Sequence, residues 1–566
     1  MTAFGIDFGT TNSALAAAVG TDITTVALDS PPEDWGVLGG FDHVLPTVLA
    51  EIDGAIDFGW RAKRTPGHLA AVKRMFATID STVTIGSKQM NIEEAAGVFF
   101  RQIKERAARD GHTLDQAVVT IPANSRGTAR YRTKLSAGLS GIQVLALVNE
   151  PTAAAMAYGR HIADGERVVV FDWGGGTLDV TVLRNLGGVF MEEASKGIQR
   201  LGGIDIDKAL HEALEPRVPS GSRLDLLDIE HAKIRLSAQE STVLGLPGGG
   251  NIEISRDEFE DVIHPLINRT RDPVERCLSD ADAGIDHLVM VGGSSKVPLA
   301  RRFVSDITGL EPMAGPDPMT AVAEGAALAA GVLTGEITEY DFFVSTEHAL
   351  GTVIHDESDR PRFSVLIARN TKLPANAEDA YNPKLDHQKS VLFRVIEGDP
   401  DAPFEHEDNV ILKEWDVTLP EPLPVSEAGF NIRFHYDVEG ILNVTAVSHK
   451  TGRTFFDEPL TFGASASRAE LAAMRRRIDE LPTVSPGGNG HASTGPSSAF
   501  TAPAGLSEQS RAVVRQAKEK IHPFVDDATQ QQLDMLIQQL VTAPSEDEPA
   551  AREALEGAVR EHSYLL

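Results

Sequence analysis

Cysteine is almost absent from this sequence, because Cys277 is the only one among 566 residues. A single thiol forms no internal disulfide and no cysteine zinc cluster, which excludes a disulfide-rich scaffold and favours a reducing compartment. Long apolar runs are also missing, since no stretch reaches the roughly 18 uninterrupted apolar residues of a membrane span. The first residues, MTAFGIDFG, lack the basic start and apolar core of a signal peptide and indicate a strand. We therefore expect a cytoplasmic protein without a membrane partner.

Positive charge is scarce relative to negative charge. Lysine and arginine total 52 against 82 aspartates and glutamates, which gives a formal net charge of −30. Such an acidic surface repels phosphate backbones, so nucleic acid is excluded as the main partner. A small phosphate-bearing ligand would need local neutralisation by backbone amides, a metal ion or a few placed cations. Apolar residues make up 42% of the chain and charged residues 24%, the composition of a folded protein too long for a single core.

The chain divides into regions with different hydrophobic patterns. Residues 1–336 alternate short β-branched runs with longer helical patterns, which predicts an α/β domain. Residues 337–346 form the predicted linker. In residues 347–463 the segments shorten and alternate between turn signals, which predicts an antiparallel β domain. Within the α/β region the clearest predictions are strands at 117–121, 167–172 and 287–291 and helices at 92–109 and 298–308.

The C-terminal part changes character again. A short helix is predicted over residues 464–481, with Ser467 and Glu470 at capping-box spacing. Residues 482–505 are uncharged and rich in Pro, Gly and Ser, which predicts a flexible tether with a reach of roughly 25–30 Å. Residues 506–566 are predicted to be helical, with apolar stripes that are typical of helix packing and only secondarily of partner binding. The stripes are Val513, Ala517 and Ile521, then Leu533, Ile537 and Leu540.

Two segments far apart in the chain repeat one pattern. FGIDFGTTNSAL and VVFDWGGGTLDV both run from an apolar strand through Asp and a Gly/Thr turn into a second strand. Asp7 and Asp172 are placed to hold a metal ion, through water in the case of Mg²⁺, and the turns expose N–H groups to phosphate oxygens. We expect the hairpins to grip one polyphosphate from both sides, the alternative being a pair of ordinary glycine-rich hairpins. A Walker P-loop is excluded because no GxxxxGK[ST] occurs.

A third glycine pair, Gly292 and Gly293, follows the predicted strand 287–291. The next helix is expected to start near Lys296 with Pro298 in its first turn. On its own this junction is a weak indication of a ligand site.

These motifs occur in a distinctive order. GIDFGTTNS, VVFDWGGGTLDV, LVNEPTAAAMAYG, LGGIDID and VMVGGSSKVP follow one another through the α/β region, and LIARNTKLP, VIEGDP and DVEGILNVTA follow in the β region. Together they resemble the 70-kilodalton heat-shock chaperones of the DnaK type. The resemblance implies a two-lobed actin-like ATPase domain, an antiparallel β-sandwich domain that binds peptides, and a small C-terminal helical segment. It also implies an ATP-dependent chaperone in the stress response, whose slow ATP hydrolysis gates the binding and release of extended unfolded polypeptides.

The same resemblance implies roles for the residues of an ATP or ADP site with Mg²⁺. Lys73 would lie against the γ-phosphate, and Glu150 would orient the attacking water. Phosphoryl transfer needs mainly positioning and charge neutralisation, so Lys73, Glu150, Asp172 and Thr177 are the implied catalytic residues. The implied Mg²⁺ residues are Asp7, Asp172 and Asp179. The implied nucleotide contacts are Gly9, Thr10, Thr11, Asn12, Gly174, Gly175, Gly176, Thr177, Gly202 and Gly203 at the phosphates, and Glu230, Lys233, Ser237, Gly292, Gly293, Ser294 and Lys296 around the adenosine.

From the residues alone, plainer interpretations are open. Lys73 is then a solvated helix lysine, and Glu150 an acid beside a helix start with Pro151 at its first position. Pro122 and Arg130, which match the family's relay between its two sites, are then a turn proline and a surface arginine. The implied peptide-pocket residues are then plain core residues of a β sandwich; they are Tyr381, Val391 and Phe393.

Several residues depart from the family pattern. Lys296 stands where the family has an arginine that stacks on adenine, and Met319 stands where it has an acid, so we expect weaker nucleotide binding. Ala146 replaces a basic residue linked to J-domain cochaperones. The resemblance implies two protein partners, a J-domain cochaperone and a nucleotide exchange factor, and because of Ala146 we expect stimulation by the J-domain cochaperone to be weak or altered. The family's long helical lid is replaced here by a short helix, a tether and a small helical unit, so we expect fast peptide exchange. Thr352 falls at an apolar position, and the bulk of Phe393 narrows the implied pocket.

Other functions remain open at this point. A specialised scaffold or reactivating factor would use the same ATPase on one dedicated partner, and the divergent C-terminal region favours it somewhat. A small-molecule kinase on the same two-lobed fold is disfavoured, because a β domain with peptide-module motifs has no role there. Filament formation is a weaker alternative.

Overall fold

The computed structural model describes residues 2–566 apart from a set of gaps. The gaps are residues 33–34, 36–40, 77–81, 124, 126, 221, 247–248, 282, 339–342, 344, 347, 407–408, 420–422, 438–440, 461–467, 483–506, 508–509, 511–512, 515–516, 518–526, 543–547 and 562–566. Half of the predicted linker and nearly all of the predicted tether therefore lie outside the described residues, as do Ser467 and Ile521. The chain forms two compact units, Met1–Ser465 and Ala466–Leu566, and each is described by itself.

The elements follow in chain order. The strands are β1 (Ala3–Asp7), β2 (Asn12–Val19), β3 (Asp22–Val26), β4 (Leu45–Pro46), β5 (Val48–Ile52), β6 (Ala55–Phe58), β7 (Leu69–Ala70), β8 (Thr82–Ile85), β9 (Lys88–Asn91), β10 (Gln116–Ile121), β11 (Gln143–Asn149), β12 (Arg167–Trp173), β13 (Leu178–Leu186), β14 (Val189–Ile198), β15 (Ser241–Gly245), β16 (Asn251–Ser255), β17 (His287–Val291), β18 (Ala349–His355), β19 (Pro361–Ile367), β20 (Ala375–Tyr381), β21 (Ser390–Gly398), β22 (Val410–Thr418), β23 (Phe430–Tyr436), β24 (Leu442–Ser448) and β25 (Thr454–Pro459). The helices are α1 (Gly59–Lys63), α2 (Val72–Met75), α3 (Ile92–Arg109), α4 (Gly127–Leu139), α5 (Glu150–Ala157), α6 (Gly203–Leu214), α7 (Leu226–Ala238), α8 (Arg256–Asn268), α9 (Arg271–Asp280), α10 (Pro298–Thr308), α11 (Ala321–Leu333), α12 (Arg468–Glu480), α13 (Asp527–Thr542) and α14 (Glu548–Glu561).

The first sheet has the order β11-β10-β1-β2-β3. In it β1 and β2 form an antiparallel hairpin, while β10 and β11 run parallel to β1. The parallel strands β1, β10 and β11 are mostly apolar and buried, as is typical of parallel strands covered on both faces. The alanine-rich α11 approaches so closely that a Cβ on Gly5 would lie 2.1 Å from the backbone nitrogen of Ala327. Close helix–sheet packing therefore requires glycine at this position.

The second sheet has the order β14-β13-β12-β17 and, like the first, combines an antiparallel hairpin with a parallel neighbouring strand. Here β12 and β13 form an antiparallel hairpin with Asp172 opposite Asp179, and β17 runs parallel to β12. One face of this sheet packs with α6, α7 and α8 in a core of its own, and the other face belongs to the core that includes the first sheet. The predicted strands at 117–121, 167–172 and 287–291 are confirmed within one residue, and the predicted helices at 92–109 and 298–308 are confirmed residue for residue.

Residues 349–459, in the region predicted to be the β domain, form two antiparallel four-stranded sheets. Their orders are β19-β18-β21-β22 and β20-β23-β24-β25. Phe393 of β21 meets Phe430 of β23 edge to face, with ring centroids 4.8 Å apart, and Phe456 of β25 at 5.3 Å. These contacts join the two sheets in one aromatic core.

The second unit is helical where it is described. Val513 and Ala517 of the first predicted stripe, and all of the second, are buried in one cluster with Leu555, Ala558 and Val559 of α14. This arrangement is ordinary packing between helices. Among the described helices of the whole chain, none is both long enough and apolar enough to cross a membrane.

Candidate functional site

A cavity of about 1640 Å³ lies where the β1–β2 and β12–β13 hairpins turn. Its walls come from both hairpins, from α2, α5 and α7, and from the segment after β17. Every residue predicted for nucleotide or metal binding lines this cavity except Gly202. Gly202 lies behind the wall, where an added Cβ would meet the carbonyl carbon of Gly175 at 2.4 Å. The predicted residues run from Asp7 to Lys296 in the sequence, and the fold brings them together around one cavity.

The two glycine-rich turns contact each other across the cavity. A Cβ on Gly175 would lie 1.7 Å from Oγ1 of Thr11, so this approach requires glycine. Oγ of Ser294 donates to the carbonyl of Gly174 at 2.8 Å and fixes the second turn. The side-chain oxygens Oγ1 of Thr11 and Oδ1 of Asn12 are buried and find no hydrogen-bond partner among the described residues. Buried polar atoms are normally paired, so these two oxygens indicate a site for a polar ligand.

Three aspartates surround the point where the hairpins meet. Burial raises the pKa of Asp7 to about 7, with the charge of Glu150 adding to the shift and a 3.0 Å hydrogen bond from Oγ1 of Thr120 opposing it. Burial also raises the pKa of Asp172 well above its usual range, and the charges of Glu150, Asp179 and Asp7 add to that shift. A bound cation would stabilise these mutually repelling carboxylates as anions.

The aspartates fit Mg²⁺ in particular. Carboxylate oxygens are its preferred protein ligands, and Mg²⁺ usually keeps several of its waters. Within the described ranges no group of three or more His, Cys, Asp or Glu side chains has the spacing of a complete metal site. The carboxylates that line the cavity are donors of the kind that Mg²⁺ takes.

Lys73 and Glu150 form an ion pair in the cavity wall. Nζ of Lys73 donates to Oε1 of Glu150, and the two side chains are only 8% and 12% exposed. Lys73 is therefore not the solvated lysine that the sequence alone favours.

Helical geometry begins at Glu150, directly after β11 ends at Asn149. Pro151 was expected to be the first residue of this helix, but it is the second because the helix already begins at Glu150.

One face of α7 forms the wall at the other end of the cavity. Glu230, Lys233 and Ser237 are spaced so that they share this face. Nζ of Lys233 donates to Oδ2 of Asp207 at 2.9 Å, and Nζ of Lys63 donates to Oε1 of Glu230 at 2.8 Å. Burial raises the pKa of Asp207 to about 6 against the charge of Lys233. Burial acts to raise the pKa of Glu230 too, but Lys63 and Lys233 outweigh it and hold that pKa below its usual range.

Gly292 closes the junction after β17. Its φ of 82° is left-handed, and a Cβ there would lie 2.5 Å from the carbonyl oxygen of Trp173. Its amide donates to the carbonyl of Pro318 at 2.8 Å. The junction therefore requires glycine for both conformation and space.

The segment after Gly292 differs from its prediction in one respect. Residues 293–296 form a 3₁₀ turn, and α10 begins at Pro298 rather than near Lys296, because proline is favoured as the first helical residue. Nζ of Lys296 donates to Oδ2 of Asp317 at 2.8 Å, so its charge is already paired. Met319 lines the same part of the cavity.

The predicted relay residues lie beside the cavity. The carbonyl of Pro122 accepts from the amide of Ser125 at 3.0 Å, and Nε of Arg130 donates to the carbonyl of Ser125 at 3.0 Å. Arg130 is 4% exposed, so the alternative of a surface arginine was wrong. Burial raises the pKa of Glu192, and the charges of Arg369 and Arg130 oppose that shift. Arg130 therefore lies near a contact that the β domain makes.

The predicted peptide-pocket residues are part of the aromatic core. Phe393 is 4% exposed, while Tyr381 and Val391 are partly buried and pack against the same cluster. The hydroxyl of Tyr381 is 3.2 Å from Oγ of Ser364. Thr352 is buried, and its Oγ1 donates to a backbone carbonyl at 2.8 Å, which explains how a hydroxyl occupies an apolar position.

Four residues of the site were missed by reasoning from sequence. Lys63, Thr120, Asp207 and Asp317 each pair with a predicted site residue. Asp207 lies inside the LGGIDID run, which was a usable indication. Lys63 lacked one, because its partner is 167 residues away and charged helix residues are usually solvated.

Comparison with known proteins agrees with this geometry. A family model described as Hsp70 protein matches residues 66–559. The chaperone protein DnaK of Halobacterium salinarum is 32% identical over 506 residues, which cover 84% of this chain and 76% of that protein. DnaK of Cenarchaeum symbiosum is 32% identical over 511 residues, covering 84% and 75%, and DnaK of Methanothermobacter thermautotrophicus is 32% identical over 507 residues, covering 84% and 82%. The chain belongs to the Hsp70 family.

Proposed function

We propose that the cavity binds ATP and ADP with Mg²⁺ and that hydrolysis there controls how the β domain holds extended polypeptides. As a member of the Hsp70 family, the chain is an ATPase and an ATP-dependent chaperone. One observation supports the nucleotide site above all. The glycine turns of two separate hairpins touch across a cavity that also contains a buried lysine–glutamate pair. Backbone amides, hydroxyls and one buried cation are what a polyphosphate needs in an acidic protein.

The proposed domain boundaries follow from the same assignment. Residues 1–336 are proposed to form the two-lobed actin-like ATPase domain, and residues 337–346 the linker. Residues 347–463 are proposed to form the peptide-binding β-sandwich. The remaining segments are a short helix at 464–481, a flexible tether at 482–505 and a helical segment at 506–566.

The phosphate end of the proposed site has three kinds of groups. Asp7, Asp172 and Asp179 would hold Mg²⁺, which when bound supplies neutralisation of phosphate charge. The hydroxyls of Thr10 and Thr11 would bind phosphate oxygens. The turn glycines let backbone amides reach the same oxygens without steric hindrance. The complete proposed phosphate set is Gly9, Thr10, Thr11, Asn12, Gly174, Gly175, Gly176, Thr177, Gly202 and Gly203.

Lys73 and Glu150 would carry out the chemical step. Lys73 is held in the cavity by its ion pair, so its charge is already present where negative charge develops on the transferred phosphoryl group. Glu150 would accept a hydrogen bond from the attacking water and orient it. Thr177, at the second turn, would place a hydroxyl beside the same oxygens.

The adenosine end would be bound by α7 and the segment after β17. Glu230, Lys233 and Ser237 would contact the ribose and base from one side, and Gly292, Gly293, Ser294 and Lys296 from the other. Because the ion pair with Asp317 neutralises Lys296, this lysine offers the base less than a stacking arginine would. Weaker nucleotide binding is the expected consequence.

Contacts between the ATPase domain and the β domain support the proposed coupling. Nη2 of Arg369 donates to Oε1 of Glu192 at 2.6 Å, and Nδ2 of Asn370 donates to the carbonyl of Glu192 at 2.9 Å. Burial lowers the pKa of Lys134 and raises that of Asp437, and each charge opposes the other's shift. Residues 410–412 of β22 also line the nucleotide cavity. A nucleotide that changes the cavity would therefore act directly on β-domain side chains.

The partners of the chain follow in part from the family. Extended polypeptides are proposed to bind the β domain near Tyr381, Val391 and Phe393. A dedicated scaffold or reactivating factor is not favoured, because the match to chaperones continues through the β region. A J-domain cochaperone, an exchange factor, a role in the stress response and a cytoplasmic location stay predictions.

A coupled binding experiment tests the proposed function. Nucleotide binding is measured by equilibrium dialysis with ATP and ADP, and the dissociation of a fluorescent unfolded peptide is then followed with each nucleotide. We expect both nucleotides to bind and the peptide to leave faster with ATP than with ADP. Asp172→Asn, which alters the cavity without touching the β domain, should abolish the difference between the two nucleotides. Peptide dissociation that ignores nucleotide in the wild type would contradict the coupling.

A further inference from the structure

The lysine proposed for the chemical step, Lys73, stands on a helix of a single turn. Helix α2 contains only the four residues Val72–Met75, and the residue before it, Ala71, has a left-handed φ of 56° and makes no side-chain cap. A helix this short is marginal when its own hydrogen bonds alone support it, and left-handed backbone is unfavourable for a residue other than glycine. Contacts from the rest of the fold therefore have to hold this turn in place.

Arg132 of α4 holds the C-terminal end of the turn. Its Nη1 donates to the carbonyl of Phe76 at 3.0 Å and to that of Met75 at 3.3 Å. Its Nε forms an ion pair at 2.9 Å with Oε1 of Glu93, which lies in the first turn of α3. Both charged side chains are only 6% exposed. The last carbonyls of a helix have no partner within it, and a buried guanidinium is a strong donor to them.

The arginine lies behind the wall of the cavity rather than in it. Among the described residues, Lys73, Met75 and Phe76 line the cavity, and Arg132 contacts the last two through their carbonyls. The Phe76 ring also packs against Phe8 of the first glycine hairpin, with centroids 5.9 Å apart. The turn that carries Lys73 is therefore anchored to α4 on one side and to the phosphate-binding hairpin on the other.

We propose that Arg132 is a positioning residue for Lys73. By fixing the end of α2, it sets where the lysine Nζ stands beside Glu150 and the phosphate end of the cavity. This inference rests on the proposed function. The amide of Phe76 donates to the carbonyl of Lys73 at 3.1 Å, so a displaced Phe76 moves the lysine backbone with it. A shift of about 1 Å in a reacting group can cost about a hundredfold in rate.

Hydrolysis by the full-length chain tests the proposal. Arg132→Met keeps a long side chain but donates to neither carbonyl. We expect its single-turnover hydrolysis of bound ATP to be about tenfold to a hundredfold slower, with the dissociation constant of ATP changed less than about threefold. Arg132→Lys keeps a cation that reaches one carbonyl but lacks the planar fork, so it should be only about threefold slower.

A double-mutant cycle with Lys73→Ala separates positioning from a merely structural role. If Arg132 acts through the lysine, Arg132→Met should slow hydrolysis by less than about twofold when Lys73 is already absent. A structural role predicts the same loss in both backgrounds. All reactions are run well below the melting temperature of the least stable variant, so that only folded protein is compared.

Helix α3 offers a matched control. Nη1 of Arg106 donates to the carbonyl of Leu28 at 2.9 Å and pairs with Oδ1 of Asp29 at 3.0 Å, and this arginine side chain is 4% exposed. Arg106→Met therefore removes the same kind of buried arginine from a place that does not hold α2. Its melting temperature should fall as in Arg132→Met, because each change leaves a buried acid unpaired. Its hydrolysis of bound ATP should stay within about twofold of the wild-type rate.

The possible outcomes separate this inference from the proposed function. Wild-type hydrolysis in folded Arg132→Met, or an equal loss in Arg106→Met, overturns the positioning role and leaves the proposed function standing. An undiminished effect of Arg132→Met in the Lys73→Ala background overturns it too. If Lys73→Ala is too slow to follow, the contrast between unchanged ATP binding and slower hydrolysis in Arg132→Met decides. If Arg132→Met does not fold, an unchanged rate in Arg132→Lys overturns the proposal. A wild type that binds no nucleotide overturns the proposed function, and this inference with it.

Discussion

Substitution of Lys73 by alanine removes a buried cation from the cavity and leaves Glu150 without its partner. Because the two side chains are only 8% and 12% exposed, the carboxylate that remains stays desolvated. Breaking a buried pair in this way typically costs about 3–5 kcal/mol in the free energy of unfolding. Losing one group that stabilises transition-state charge typically lowers the rate about a hundredfold to a thousandfold, or about 2.7–4 kcal/mol. We expect Lys73→Ala to retain ATP binding, to lose nearly all hydrolysis and to unfold more easily without ligand.

Three measurements on one set of variants separate these effects. Equilibrium binding of ATP, single-turnover hydrolysis and thermal unfolding are recorded for each protein. The double variant Lys73→Met with Glu150→Gln removes both charges, so it should regain stability but not hydrolysis. Lys196→Ala is the matched control, since Lys196 pairs at 2.9 Å with Asp280 in an exposed contact. Exposed pairs contribute about 0–1 kcal/mol, so this variant should resemble the wild type.

Equal turnover by Lys73→Ala and the wild type would remove Lys73 from the mechanism. Recovery of hydrolysis in the double variant would show instead that the lysine acts only by balancing the charge of Glu150. Loss of ATP binding together with hydrolysis would place the lysine in ground-state binding rather than in the chemical step.

Other predictions follow from single contacts. The thiol of Cys277 is buried and donates to a carbonyl of β13, and burial raises its pKa to about 12, so thiol reagents at pH 8 should label it only after unfolding. With the hydrogen bond from Thr120 in place the pKa of Asp7 is about 7, and Thr120→Val removes this bond, so the pKa of Asp7 should rise further. Hydrolysis should then need about threefold to tenfold more Mg²⁺ at pH 6.5 but little more at pH 8.5, where Asp7 stays ionised. Arg369→Ala should lower the melting temperature more than Glu192→Gln, because the first leaves a buried carboxylate unpaired and the second does not; equal losses would contradict this.

The strands and turns of the nucleotide site could be predicted because their determinants are local. An apolar run that ends in Asp7 or Asp172 and continues as a Gly/Thr turn specifies a hairpin within about a dozen residues. The repetition of that pattern then indicated two halves facing one ligand. Gly175 shows the constraint most directly, since any Cβ there would overlap Thr11 of the other hairpin.

The supporting contacts could not be predicted because their determinants are distant in sequence. Thr120 and Asp7 are 113 residues apart, and Lys63 and Glu230 are 167 apart. Nothing in the local pattern of GWRAK separates a lysine paired inside a cavity from one that is solvated. Burial of Arg130 was equally hidden, because a helix arginine is usually exposed. In each case the packing of two elements, rather than either sequence, decides the environment.

The residues predicted for the peptide pocket show why a site defined by shape is harder to derive than a site defined by charge. Glycines, threonines and acids in fixed order have few structural reasons to occur together, so their pattern itself indicates phosphate chemistry. Tyr381, Val391 and Phe393 are apolar or aromatic, and such residues serve a core as well as a pocket. Phe393 packs edge to face with Phe430 on the other sheet, a contact that only the packing of the two sheets creates. The space beside these rings is set by how the two sheets pack, which the sequence of a single strand does not determine.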